Sequence, residues 1–391
     1  MSNPVKQFFL SFVALFLIVL SLAAKPPARP GDADTNVSPE LTDYVSPFTG
    51  TGPGVRWHTG WTFPGAALPF AMVQWSPDTM PAGALERETL PGSYVYRDGS
   101  IRGFSLNHLS GVGCPVLADV PILPVAGPVT SSPAVRTAHV APFSHANEQA
   151  SPGFYAVKLD SGVKVQLTAT TRAGIGRFTF PASADSNLLF DVGQNATGAS
   201  KDISMSAKEK DASIEIVGGQ KIVGRVSGGG FCGSGSNKYT VYFVAEFNRP
   251  FTKFGTWNDS AVNGGQRSAR GPHTGGFVGF DTTKDQVVEL KVALSYVSIE
   301  NAWKNLNKEI VGWDFDAVRE SAHGRWNKEL GLITVSGGTE EEKRVFYTSL
   351  YHSLLGPTVF SDVNGEYMGF DDQVHVANGY TQYANYSGWD I

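Results

Sequence analysis

The segment FYAVKLDSGVKVQLT, residues 154–168, decides the fold class of this chain. Two runs with apolar and polar residues in alternation flank the turn Asp160-Ser161-Gly162, a pattern that predicts a β-hairpin with one buried face. Because the runs are short and show no alternation with helices, they predict an antiparallel sandwich or barrel and argue against a dinucleotide-binding fold. Similar runs separated by turn residues follow at 176–180, 187–191, 213–217, 221–226, 239–247, 276–280 and 286–297.

The pattern changes to helical spacing after the last of these runs. Residues 300–310 and 315–330 place apolar side chains at helical intervals among lysines and glutamates, which predicts two amphipathic helices in a connecting region. A third helix is expected to begin after Thr339, since Thr339 and Glu342 have the spacing of a capping box, and to end before Pro357. Its predicted buried face consists of Val345, Leu350, Tyr351 and Leu354.

Beyond the third helix, the dipeptide Asn364-Gly365 is typical of a tight turn. It predicts a hairpin in which Val359-Phe360 pairs with Tyr367-Met368. The sequence therefore predicts a mainly β protein with a helical C-terminal part.

The N-terminus has the pattern of an export signal. An apolar run at residues 8–20 follows a start with one lysine and precedes the small residues around Ala23. The alternative is a membrane anchor, but the run is short for a membrane span and a proline-rich stretch begins at Lys25. We expect residues 1–24 to be a cleaved signal peptide and 25–40 a poorly ordered tether. The mature protein is then periplasmic or secreted, without a stable membrane span.

Composition restricts the classes of partner. The net charge is −5, and the 31 lysines and arginines are scattered along the chain, so there is no basic field for a phosphate backbone. Nucleic acid is therefore excluded as an expected partner. The 44 glycines, 23 prolines and 12% aromatic residues suit a turn-rich β protein, and aromatic faces beside short polar groups are also common on carbohydrate-binding surfaces.

The chain has two cysteines, Cys114 and Cys232, each beside a glycine. An oxidising compartment permits a disulfide between them, and two unpaired thiols are the alternative. Two isolated cysteines argue against a zinc site.

Two segments carry the candidate sugar contacts: WHTGWTFPG, residues 57–65, and GFSLNHLSG, residues 103–111. They offer indole faces for the apolar side of a sugar and short polar groups for its hydroxyls, in backbone that glycines leave accessible. Alternatively, the aromatic residues are core and His58 caps a turn. Likewise, alternation over 104–109 would make a strand with Phe104, Leu106 and His108 facing a core, and the spacing leaves this undecided.

The acidic residues give no further indication of chemistry. Asp98 and Asp119 are expected to be solvated or to cap turns, and Asp371-Asp372 is expected at the end of a hairpin. The sequence contains no spacing typical of a metal site, a nucleophile elbow or a phosphate loop, and no obvious pair of catalytic carboxylates. The residues alone thus predict a secreted β-sandwich with a carbohydrate-facing loop surface.

The same segments resemble glycoside hydrolase family 92, the calcium-dependent exo-acting α-mannosidases. The resemblance covers nearly the whole mature chain. It rests on VSPFTGTG at 45–52, His58 with FPGA at 63–66 and Pro69-Phe70, MVQ at 72–74 with SPD at 76–78, GFS at 103–105 with HLSG at 108–111, FSDVNGEY at 360–367, and Trp389-Asp390.

The resemblance implies an N-terminal β-sandwich packed on an (α/α)6 barrel, with the sugar at their junction. The expected boundaries are 41–298 for the sandwich, 299–338 for a helical linker and 339–391 for the incomplete start of the barrel. The implied substrate-binding residues in this sequence are His58, Trp61, Asn107, His108, Trp389 and Asp390.

The resemblance also implies a reaction. Such enzymes remove terminal α-linked mannose from glycans with inversion, using a glutamic acid, an aspartate base and calcium; an inverting pair of carboxyls stands about 6.5–9.5 Å apart. We expect both carboxylates and most calcium ligands to lie beyond Ile391, so that the chain alone is inactive. The alternative is a non-catalytic carbohydrate-binding sandwich protein.

Two positions depart from the family pattern. Leu106 and Asn107 stand where the family often has a histidine and a threonine, and Ala71 stands where a glycine is common. These differences bear on the details of sugar contact and on linkage specificity.

Overall fold

The computed structural model describes residues 40–52, 60–82, 91–133, 139–193, 211–233 and 237–385. The predicted signal peptide, and the predicted tether apart from Glu40, lie outside these residues. None of the helices in the described part is long and apolar enough to cross a membrane.

Within the described residues, seventeen strands build one body of antiparallel sheet. They are β1 (Ala66–Ala67), β2 (Gln74–Met80), β3 (Ser100–Ser105), β4 (Ile122–Ala126), β5 (Ala141–Ser151), β6 (Phe154–Leu159), β7 (Lys164–Ala169), β8 (Ala173–Thr179), β9 (Ser186–Phe190), β10 (Ala212–Val217), β11 (Lys221–Gly228), β12 (Tyr239–Phe247), β13 (Lys253–Asn258), β14 (Ala261–Gly264), β15 (Ser268–Arg270), β16 (Thr274–Phe280) and β17 (Val287–Ser295).

These strands form the two layers of a sandwich, which confirms the predicted fold class. The first sheet has the order β1-β2-β3-β4-β9-β16-β13-β14. The second has the order β5-β6-β7-β8-β17-β12-β11-β10-β15. Strand β5 also pairs with β3, so the chain passes from one sheet to the other at that edge.

The hairpin that decided the fold class forms as predicted. Strands β6 and β7 pair from Phe154 with Thr168 to Lys158 with Lys164 around the turn at 160–162. Tyr155, Val157 and Leu159 face the sandwich interior together with Val165 and Leu167. The alternation of the sequence therefore corresponds directly to the two faces of the second sheet.

The main core lies between the two sheets. Phe104 and Phe190 of the first sheet and Phe178, Phe243 and Leu290 of the second are fully buried in it. Each such side chain stabilises the fold by about 1.5–3 kcal/mol relative to exposure. The sandwich therefore forms a rigid support for the loops at its ends.

Three helices follow the sandwich: α1 (Ile299–Glu309), α2 (Phe315–Leu330) and α3 (Glu340–Ser353). The N-terminus of α1 is capped by Ser298, whose hydroxyl accepts the Asn301 N–H at 3.1 Å. Apolar side chains of α1 and α2, including Leu306 and Phe315, pack on the outer face of the second sheet. Both predicted connecting helices are confirmed within one residue.

The third helix has the predicted capping box. Glu342 N–H donates to the Thr339 hydroxyl at 3.2 Å, and the Thr339 N–H donates to the Glu342 carboxylate at 2.7 Å. The predicted buried face is only partly right, because Tyr351 is buried but Val345 is 60% exposed. The helix buries Tyr347, and Val345 lies two residues, or about 200°, away around the helix.

The helices also pack on the segment that leads into β1. Trp326 of α2 and Tyr351 of α3 are fully buried, with ring centroids 4.6 Å apart. The Trp326 indole N–H donates to the Ala67 carbonyl at 2.7 Å. A short 3₁₀ helix, Leu41–Tyr44, completes this cluster.

The predicted hairpin at 359–368 is wrong. The Asn-Gly turn is present, with the Asp362 N–H donating to the Glu366 carbonyl at 2.8 Å, but the flanking strands pair elsewhere. The reason is that the Asp362 side chain binds α1 and the end of β17, which holds this segment against the sandwich. The observed pairs are β18 (Thr358–Val359) with β21 (Tyr383–Ala384), and β19 (Glu366–Met368) with β20 (Val374–Val376).

Candidate functional site

Three of the six predicted sugar contacts can be located. Trp61, Asn107 and His108 lie in the described residues, whereas His58, Trp389 and Asp390 lie outside them. Residues 106–121, which connect β3 to β4, form the loop that carries Asn107 and His108; we call it the β3–β4 loop. The Gly111 N–H donates to the Trp61 carbonyl at 3.1 Å, so the structure brings Trp61 to this loop.

His108 lies inside the protein, with 2% of its surface exposed. Its Nδ1 is 2.8 Å from the Gln74 carbonyl, which can only accept, so Nδ1 carries a proton. Its Nε2 is 3.0 Å from both Asp78 Oδ1 and the Ser93 hydroxyl. Both ring nitrogens are therefore used within the protein.

Asp78, in the second half of β2 and fully buried, is the centre of this network. Its Oδ1 accepts from Ser93 Oγ at 2.5 Å, and its Oδ2 accepts from the Ser105 N–H at 3.0 Å and the Ser105 hydroxyl at 2.6 Å. One carboxylate thus ties β2, β3, residue 93 and the β3–β4 loop together. We name Asp78, Ser93, Ser105 and His108 the Asp78 network.

Asn107 and Asp119, near the two ends of the β3–β4 loop, are hydrogen-bonded to each other. Its carbonyl oxygen accepts the Asp119 N–H at 2.7 Å, and its amide donates to Asp119 Oδ2 at 3.1 Å. The Tyr239 hydroxyl of β12 donates to the same oxygen at 2.7 Å. Tyr296, which directly follows β17, is buried beside Asn107 and Asp119. Burial and the nearby Asp119 charge raise the pKa of Tyr296, so its phenol stays protonated.

The two alternatives for the β3–β4 loop are therefore partly resolved. Phe104, Leu106 and His108 face the interior, as the strand alternative requires, but Ser105 and Asn107 are buried as well. The side chains of Asn107 and His108 hold the loop in place. Their contribution to sugar contact stays a prediction.

The structure contains the disulfide between Cys114 and Cys232. It joins the β3–β4 loop to the segment that follows β11, where Phe231 packs against loop residues Leu109 and Val116. The loop is thus fixed covalently at a third point.

Residues with strained backbone conformations cluster around the β3–β4 loop. Nine non-glycine residues among the described ones have positive φ, a region that costs an L-residue about 1–3 kcal/mol and is enriched at functional sites. Six of them lie on the segments that contact one another here: Trp61, Ser93, Leu117, Ala118, Val120 and Cys232. This strain makes the end of the sandwich that carries the β3–β4 loop a candidate functional site.

A second polar cluster joins the sandwich to the C-terminal segment. Asp362 is 2% exposed and accepts from the Ser295 hydroxyl at 2.6 Å and from the amides of Asn301 at 2.9 Å and Asn305 at 2.6 Å. Burial raises the pKa of Asp362, although these donors oppose the shift. The ring of Phe360, two residues before Asp362, stacks on the ring of Tyr296 with the centroids 4.4 Å apart. Because Tyr296 also contacts Asn107, it connects this cluster to the β3–β4 loop.

A cleft of about 550 Å³ opens beside Asp362. Arg172 crosses it, with its Nη1 2.9 Å from Glu309 of α1 and its Nε donating to the Ser361 carbonyl at 2.6 Å. Asn364 and Tyr380 line its outer part. We call this the junction cleft, because it lies where the sandwich, α1 and the C-terminal segment meet.

The described residues contain no group of three or more histidine, cysteine, aspartate or glutamate side chains that could hold a metal ion. The carboxylates of Asp78 and Asp362 are already engaged by protein donors. Neither of these two carboxylates is free to hold a calcium ion in this arrangement.

Helix α3 is tied to β2 near this region. The Gln74 amide donates to the Leu355 carbonyl at 2.9 Å, and the Phe70 N–H donates to the Leu354 carbonyl at 2.8 Å. His352, in the last turn of α3, has both ring nitrogens buried without a hydrogen-bond partner among the described residues. Burial lowers the pKa of His352 from 6.5 to about 4.

The His352 pKa predicts an acid-sensitive stability. The unfolded chain binds a proton below about pH 6.5, but the folded chain does so only below about pH 4, so stability is full above pH 6.5 and falls between these values. We expect a loss of about 2 kcal/mol, since partial exposure reduces the full effect. Urea unfolding at pH 7 and pH 4.5 measures it. His352→Leu should flatten this slope, while His375→Leu, at an exposed histidine, should keep it.

Several residues of this region have roles that the sequence does not indicate. Asp98 and Asp119 were predicted to be solvated or to cap turns, but both are 2% exposed. Tyr239 and Asp362 were not among the predicted site residues. Local spacing gives no signal for these roles, because Asp119 and Tyr239 meet across 120 residues.

Comparison with known families gives two matches in chain order. The model of the glycosyl hydrolase family 92 N-terminal domain matches residues 44–295. The model of the glycosyl hydrolase family 92 catalytic domain matches residues 301–391.

Solved structures show the same similarity. A family 92 α-mannosidase from Bacteroides thetaiotaomicron is 32% identical with a TM-score of 0.78, covering 90% of this chain and 46% of its own. It has also been solved in complex with mannoimidazole. A family 92 inverting mannosidase from the same organism is 28% identical with a TM-score of 0.73, covering 88% of this chain and 44% of its own.

Among curated proteins, a secreted glycosidase of Arthroderma benhamiae is 26% identical over 83% of this chain and 43% of its own length. The present chain spans less than half the length of each of these relatives.

Proposed function

Because this chain belongs to glycosyl hydrolase family 92, we propose that it is the N-terminal part of an exported α-mannosidase that removes terminal α-linked mannose from glycans. The observation that carries this proposal is the match to both family domains, with the change from one to the other between β17 and α1. The bound mannoimidazole of one relative supports a mannose-type substrate.

The described residues would contribute one wall of the sugar pocket. Trp61 is half-buried beside the β3–β4 loop, and an indole edge or face in this position can pack on the apolar side of a pyranose ring. His58, Trp389 and Asp390 are proposed as further contacts. Asn107 and His108 would act through the loop backbone that they position.

The reaction itself is proposed for the whole protein. One relative is an inverting mannosidase, and we propose inversion here too, with an acid and a base about 6.5–9.5 Å apart. We place these two carboxylates and most of the calcium ligands outside the described residues, since the buried carboxylates Asp78 and Asp362 are held by protein donors. Calcium dependence is a proposal that the family suggests.

Mannose release by the full-length protein tests the proposal. α-1,2-, α-1,3- and α-1,6-mannobiose are supplied with and without a chelator, and NMR identifies the first anomer released. We expect β-mannose from at least one linkage, loss of activity with the chelator and recovery with calcium. Release of α-mannose would contradict inversion, chelator resistance would contradict calcium dependence, and no release from any linkage would contradict the mannosidase itself.

A variant tests the sugar-pocket wall. Trp61→Ala should raise KM about tenfold, which corresponds to about 1.4 kcal/mol, because a stacking surface is lost. Trp313→Ala is the matched control, since Trp313 is also half-buried but packs on the outer face of the second sheet. Equal KM values for the two variants would show that Trp61 does not contact the sugar.

A further inference from the structure

A groove crosses the outer face of the second sheet and reaches the β13–β14 hairpin of the first, on the side of α1 away from the junction cleft. It consists of two hollows of about 420 and 490 Å³ that share Val223 and Ile299. Its lining has no residue in common with the junction cleft. The groove is therefore a separate surface feature.

One end of the groove is lined by side-chain amides and charges. The Asn258 amide donates to the Arg270 carbonyl at 3.3 Å, and the Gln266 amide donates to the Ser268 carbonyl at 3.0 Å, so backbone contacts orient both. The side chains of Glu215 and Asn263 also line this end, and they make no hydrogen bond or ion pair with other described residues.

This set of groups suits a sugar. A hydroxyl donates and accepts at once, and so does a carboxamide, while a carboxylate accepts from two neighbouring hydroxyls. Glu215 stands on β10, and Asn258 and Asn263 stand on the β13–β14 hairpin, so regular strand pairing holds these three, while Gln266 lies in the turn between β14 and β15. The polar end is therefore largely formed before any ligand arrives.

The other end is mainly apolar. Trp303 of α1 lines it with Val217, which is 40% exposed, and the Lys221 ammonium lies 4.9 Å from the Trp303 ring centroid. Because this ammonium lies over the Trp303 ring, Val217 and Ile299 supply the apolar surface for the C–H face of a pyranose, and Lys221 supplies a donor for a rim hydroxyl. The two ends together offer space for more than one sugar unit.

Helix α1 connects the groove to the junction cleft. Ile299, Trp303 and Asn307 recur every four residues and line the groove, whereas Asn305 and Glu309 face Asp362 and Arg172 on the other flank. A helix with its side chains is about 10 Å wide. A glycan in the groove would thus lie about one helix width from the junction cleft.

We propose that this groove is a non-catalytic binding site for a mannose-containing glycan chain, which it holds about one helix width from the junction cleft. The proposal rests on the proposed function, because that function supplies the class of glycan. The groove would increase the time that a polymeric substrate stays on the protein, without taking part in bond cleavage.

Affinity electrophoresis of the full-length protein in gels containing yeast mannan tests this. The double variant Asn263→Ala, Gln266→Ala should bind mannan about tenfold more weakly, as expected for two lost hydrogen bonds. Gln286→Ala, an exposed amide outside the groove, should migrate like the unaltered protein. Melting temperatures confirm that the variants are folded.

Unchanged retardation of the double variant would overturn the proposal, and so would absence of retardation in the unaltered protein. Mannose release from the disaccharides by the unaltered protein is measured separately. If release fails, the proposed function fails; if release occurs but the double variant keeps full mannan affinity, only the groove proposal fails.

Discussion

Replacing Cys232 with serine is expected to lower the free energy of unfolding by about 4 kcal/mol. The disulfide to Cys114 joins residues 118 positions apart, and a cross-link over such a distance restricts the unfolded chain strongly. Denaturant unfolding under non-reducing conditions measures the change. The loss should also raise KM for mannosides in the full-length protein, because the β3–β4 loop is then held only by its non-covalent contacts.

Reduction of the unaltered protein is the matched control. It should reproduce the loss of the Cys232→Ser variant, and reductant should have no effect on the variant itself. Cys114→Ser should lose the same amount, with no further loss in the double variant, because both changes remove one bond. A loss below about 1 kcal/mol would show that the packing of Phe231 on Leu109 is sufficient to hold the loop.

The sandwich could be predicted because its signal is local. Alternation along 154–168 reports directly which face of β6 and β7 is buried, and the observed strands agree with it. The third helix was predicted from its capping box for the same reason. In contrast, the partner of Phe360 could not be predicted, since its N–H donates to the Gln382 carbonyl rather than to the nearby strand that the Asn-Gly turn suggested.

The site could be predicted only at the level of segments. The two glycine- and aromatic-rich segments do meet, through the contact of Gly111 with Trp61. The orientation of His108 was undecided in the sequence, because its partners on β2 lie about 30 residues away. Asp119 resembles an ordinary turn residue until Tyr239 is brought to it by the second sheet.

Replacing Asp78 with alanine is expected to cost about 4 kcal/mol of stability. The change leaves the Ser93 hydroxyl, the His108 Nε2 and the two Ser105 donors without their acceptor in a fully buried position. Each unsatisfied buried group costs about 1–3 kcal/mol, and the contacts of His108 with Ser93 and of Ser105 with the Ala118 carbonyl offset part of the total. Chemical unfolding of the variant measures the loss, with Asp160→Ala, at an exposed turn, expected to stay within about 0.5 kcal/mol.

A double-mutant cycle shows whether the Asp78 network acts as a unit. His108→Ala removes one donor, so it should destabilise the protein on its own but cost less in the Asp78→Ala background, with a coupling of about 1–3 kcal/mol. Should Asp78→Ala fail to fold, Ser105→Ala replaces it in the cycle, because Ser105 donates to the same carboxylate. Additive losses would contradict the network and would leave the β3–β4 loop dependent on the disulfide and on Asn107 alone.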